Sequence, residues 1–110
     1  MRNYNKLVRD RIPEIIQNDN KTCVVEILND HDFLVELKRK LIEESNELSG
    51  TQNREEMINE LADLHEVMNA LKAIYAISNE EIERRQLKKA ETNGRFEKQL
   101  FLVSVDGDHE

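Results

Sequence analysis

Apolar residues recur every three or four positions through the middle of the chain, and this recurrence predicts two amphipathic helices joined by a short break. At about 100° per residue, Leu34, Leu37, Leu41 and Leu48 form one stripe on a helix from about Phe33 to Leu48. Met57, Leu61, Leu64, Val67, Met68 and Leu71 form a second stripe on a helix from about Arg54 to Ile77. Ser49 and Gly50 stop the first helix, and Asp30 or Asp32 is placed to cap its start. Asn53 followed by Glu56 resembles a capping box for the second helix. Ser78 with Glu81 is a better one, opening a third, weakly amphipathic helix to about Thr92 before Asn93-Gly94.

Outside this helical region the period changes. Pro13 suits the first turn of a short helix from Ile12 to Gln17. Lys21 to Leu28 is rich in β-branched residues, and Leu100 to Val105 is apolar on nearly both faces, so each reads as a short strand. A lone strand is unstable, which implies that Cys23–Ile27 pairs with Phe101–Val105. The expected fold is therefore mainly α: a helical bundle plus a short two-stranded β element, in a single domain over residues 1–110.

Carboxylates interrupt both central stripes. Glu44 falls inside the first and Glu47 lies at its edge; Glu60 falls inside the second and Asp63 lies at its edge. Ionised groups are rarely buried unless paired, and desolvating one costs several kcal/mol. Two carboxylates about 5 Å apart repel by roughly 3 kcal/mol at an effective dielectric of about 20. Four such groups need cations among them, and an all-oxygen, acidic set suits a hard divalent ion such as Mg2+. One pair of acids alone would be an ordinary solvated helix face. Two pairs that both intrude on apolar stripes favour a metal centre. His65, near the edge of the second stripe, is expected to be a packed or half-exposed histidine, since Mg2+ prefers oxygen.

Composition narrows the function. The 110-residue chain carries 23 acidic against 16 basic residues, a net charge of −7, which argues against general nucleic-acid binding. It does not exclude a nucleotide, because bound metal inverts the local charge. A single cysteine, Cys23, permits no intramolecular disulfide, and no apolar run reaches the length of a membrane span. The N-terminus has no apolar region of a secretory signal, so a cytoplasmic setting is expected.

The acidic pattern Glu43-Glu44-x-x-Glu47, then twelve residues, then Glu60-x-x-Asp63 resembles the metal site of the MazG-like, all-α nucleotide pyrophosphohydrolase superfamily. The run Tyr4-Asn5-Lys6-Leu7-Val8-Arg9-Asp10-Arg11-Ile12-Pro13 is similar to that of a small phosphoribosyl-ATP-pyrophosphohydrolase-like subgroup, as is Lys89 through Gly94-Arg95-Phe96-Glu97 to Leu102. That subgroup has Gly-Gly where this chain has Gly94-Arg95. The resemblance implies a MazG-like bundle and hydrolysis of a nucleoside triphosphate to the monophosphate and pyrophosphate. It implies Glu44, Glu47, Glu60 and Asp63 as ligands of Mg2+ (Mn2+ as a substitute), with Glu43 as an extra acid that holds or activates water.

Lys40, one turn before Glu44, and Lys6, Arg9 and Arg95 are candidate phosphate-binding residues. For Lys40 the alternative is an ion pair with Glu44; for the N-terminal basic run it is a solvated arm. Two long helices and one weak one make a thin bundle, so self-association as a homodimer or higher homo-oligomer is expected. A non-catalytic helical dimerisation or metal-binding module and a true phosphoribosyl-ATP pyrophosphatase are the competing functions.

Overall fold

A computed structural model describes residues 2–107. Four helices follow in order: α1 (Ile12–Asn18), α2 (Asp30–Ser49), α3 (Arg54–Ile74) and α4 (Asn79–Asn93). The chain divides into two compact units, Met1–Ala76 and Ile77–Glu110. The first holds α1 to α3 and the second holds α4 with the segment after it.

Each helix starts where local chemistry favours it. Pro13 lies in the first turn of α1, whose start has no side-chain cap; Arg11 instead reaches Glu14 at 3.3 Å. The Asn29 side chain caps α2, accepting from the Asp32 backbone N–H at 2.8 Å. The expected caps, Asp30 and Asp32, sit within the first turn instead. There their charge faces the positive end of the helix dipole. The Asn53 side chain accepts from the Glu56 N–H at 2.9 Å. Glu56 answers one residue early, accepting from Gln52 N–H at 3.0 Å. On α4 the box is complete: Ser78 Oγ accepts from Glu81 N–H at 3.1 Å, and Glu81 Oε1 accepts from Ser78 N–H at 3.2 Å.

Helix α2 ends at Gly50, whose amide reaches the Asn46 and Glu47 carbonyls, both at 3.2 Å. Its φ of −89° is one any residue adopts. Only residues 50–53 separate α2 from α3, so the two pack as an antiparallel hairpin. Leu37 and Val67 are buried in this contact, at 4% and 8% exposure. Leu34, Leu41, Leu48, Leu64 and Leu71 are half-buried around them. Met57, Leu61 and Met68 remain exposed, at 40%, 38% and 36%; the α3 stripe is wider than one partner helix covers. No helix among the described residues is long and apolar enough to cross a membrane.

The expected β element is absent. Among the described residues no strand forms. Cys23 is half-buried, but Val24 and Ile27 are 88% and 100% exposed, and Phe101 and Val103 are 89% and 84% exposed. The two segments fall in separate compact units. Residue preference for extended backbone is real in both, but without a ladder partner it produces no sheet.

In the second unit α4 buries no residue. It ends at Gly94, with φ +82° and ψ −169°, a region essentially confined to glycine.

Candidate metal centre

The helical hairpin brings all five predicted acids together. Glu43 and Glu44 are neighbours on α2 with Glu47 one turn on, and Glu60 and Asp63 come from α3. Ligand oxygens of Glu43, Glu44 and Glu47 lie within 4.8 Å of one another, and those of Glu44, Glu60 and Asp63 do so too. The two triads share Glu44.

Burial follows the stripe positions. Glu44, inside the α2 stripe, is 6% exposed and is the buried charged residue of the hairpin. Glu60 and Asp63 are half-buried, Glu43 is half-buried, and Glu47 is exposed at the rim. Glu44 Oε2 and Glu60 Oε2 are both shut off from solvent with no hydrogen-bond partner. An orphaned buried carboxylate oxygen forfeits its hydration with nothing in return.

Electrostatics record the same strain. Burial, then the charge of neighbouring Glu47 and of Asp63, pushes the Glu44 carboxyl up to about 6, with Lys40 acting in the opposite direction. Burial, then Glu47 and Asp63, also raises Glu60, while a hydrogen bond from Asn59 lowers it. Asn59 is the one contributor that helical patterning passes over. It is an exposed amide beside Glu60, with no sequence signal to set it apart.

Two of the predicted cations meet the cluster. Lys40 Nζ lies 3.7 Å from Glu43 Oε1 and 3.8 Å from Glu44 Oε1. Arg9, in the segment before α1, donates from Nη2 to Asp63 Oδ1 at 2.8 Å. Lys6 lies elsewhere on that arm, 6.0 Å from the centroid of the Tyr4 ring. Arg95 belongs to the second unit, where it is exposed just beyond Gly94.

The donor set fits a hard divalent cation. All five acids offer carboxylate oxygen, which Mg2+ and Mn2+ accept, and two oxygens lack any other partner. Lys40 and Arg9 together carry two positive charges against five negative ones, which leaves the cluster strongly anionic.

No protein-family model matches the chain, and no solved structure matches it. Over 50 residues the chain is 42% identical to an uncharacterized protein of Mycolicibacterium smegmatis. The matched stretch covers 46% of this chain and 51% of that protein, so the chain spans about half the length of the curated relative it matches.

Proposed function

We propose that the protein is a MazG-like, Mg2+-dependent nucleotide pyrophosphohydrolase that cleaves a nucleoside triphosphate, or a related nucleotide, to the monophosphate and pyrophosphate. The observation that carries this reading is Glu44: a charged residue 6% exposed, with an oxygen lacking any donor, common to two carboxylate triads. The resemblance of the acidic pattern and of the N-terminal run adds the reaction class. Glu44, Glu47, Glu60 and Asp63 would hold the ion, and Mn2+ would substitute.

When bound, the ion neutralises polyphosphate charge and lowers the pKa of a coordinated water. The remaining work falls to the chain. Glu43, half-buried at the edge of the cluster and paired with Lys40, accepts a proton from the attacking water. The water oxygen forms the new bond to phosphorus as the anhydride P–O bond breaks, and the electron pair leaves with pyrophosphate. Lys40 and Arg9 supply cationic hydrogen-bond donors for phosphate oxygens at the site's edge. The exposed α3 methionines and Leu61 favour a second copy of the hairpin as their cover, giving a cytoplasmic homodimer.

The test is a panel of nucleotides incubated with the protein and Mg2+, followed for monophosphate and pyrophosphate. Both products, from at least one nucleotide, are expected. A rise in melting temperature with Mg2+ but no turnover of any nucleotide would instead establish a non-catalytic metal-binding module.

A further inference from the structure

Arg9 lies outside every helix, yet its guanidinium reaches Asp63 at 2.8 Å, across 54 positions of sequence. Little else fastens this arm. Leu7 is half-buried, while residues 2–6 and 8–11 are exposed. A divalent ion that takes Asp63 Oδ1 competes with the guanidinium for that oxygen, and the two cations repel at close range. The arm is also cationic beyond Arg9: Arg2 and Lys6 lie 5.6 Å and 6.0 Å from the centroid of the Tyr4 ring. That ring is 64% exposed.

We infer that Arg9 is a cation-responsive latch. It neutralises Asp63 and pins the N-terminal arm while no divalent ion is bound, and an incoming ion displaces it toward the polyphosphate of the ligand. The displaced arm then offers Arg2, Lys6 and Arg9 as donors to an anionic polyphosphate, with Tyr4 as an adjoining flat surface. This inference rests on the metal-binding reading above and assigns Arg9 a regulatory exchange of partners that the reading does not require.

Two measurements on the full chain test it. Amide hydrogen exchange over residues 7–10 is expected to accelerate when Mg2+ is added, and to slow again on further addition of inorganic tripolyphosphate. In R9A it is fast throughout. Calorimetric titration with Mg2+ should show R9A binding roughly two- to fivefold more tightly than the wild type, the range over which an exposed ion pair shifts an equilibrium. R9K, which keeps the charge but loses the fork, stays closer to the wild type. Wild-type protein that binds Mg2+ with no change in arm exchange, or R9A that binds it more weakly, overturns the latch alone. Failure of the wild type to bind Mg2+ overturns the latch and the metal reading together.

Discussion

Glu44 sets the behaviour of the site at the level of single residues. Its carboxyl is raised from 4.5 to about 6, so the folded protein holds this proton more tightly than the unfolded chain does. The folded state is therefore favoured at low pH, and metal-free stability falls as pH rises between about 4.5 and 6. Glu44→Gln reduces that slope, leaving the part due to Glu60, and should raise the melting temperature of metal-free protein at pH 7, measured by calorimetry across the pH range. Binding of the proposed ion would have the opposite dependence, since it needs the carboxylate free of its proton. Mg2+ affinity should weaken as pH drops below about 6. Asp63→Asn differs from Glu44→Gln, because it relieves repulsion but also breaks the Arg9 pair. Its metal-free stability should stay within about 1 kcal/mol of the wild type while turnover is lost. Unfolding of either variant with specific activity intact would make these acids structural. Much of this was legible beforehand: a stripe that demands Leu at Leu37 and Leu41 and receives Glu at Glu44 announces a group that must be buried at a cost. The partner of Arg9 was not legible, because periodicity within α3 says nothing about which distant segment lies over Asp63.

At the scale of elements, caps were the most readable feature. Ser78 and Glu81 form both bonds of a capping box, and Asn53 caps α3. Ser78→Ala should lower stability by about 1 kcal/mol, read as earlier loss of helical circular dichroism, and a Thr at that position should restore most of it. The sequence does not single out Asn29 from its acidic neighbours, because Asn and Asp both suit the position; only backbone geometry decides among the three residues. Gly94 shows which glycine the turn after α4 needs. A side chain there would meet nothing within 4 Å, yet the backbone angles exclude one, so Gly94→Ala should cost about 1–3 kcal/mol through strain alone. Arg95 has no such constraint, since its φ is not positive. The two apolar segments misled for a physical reason. β-branched content reports how well side chains suit a sheet once a neighbouring strand exists, and it carries no information about whether one does.

At the scale of the whole molecule, apolar surface outweighs the core. Among the described residues Leu37 and Val67 are the buried hydrophobic ones, while Phe96, Phe101, Leu102 and Val103 are all at least 78% exposed. The two phenylalanines alone present roughly 300–500 Å², against about 800 Å² per partner in a standard stable interface. Sedimentation at micromolar concentration should therefore find a dimer or larger assembly, and a monomer would remove the proposed cover for the α3 stripe. The net charge of −7 would favour the solubility of such an assembly.

Sharing one carboxylate between two triads would limit how the proposed centre fills with ions. If two ions bound, whatever the first drew from Glu44 would be withdrawn from the second, and the two steps would be neither equal nor independent. A Mn2+ titration followed by electron paramagnetic resonance should give unequal stepwise affinities if two ions enter, and replacing Glu44 should erase both steps, whereas replacing Glu60 should leave one.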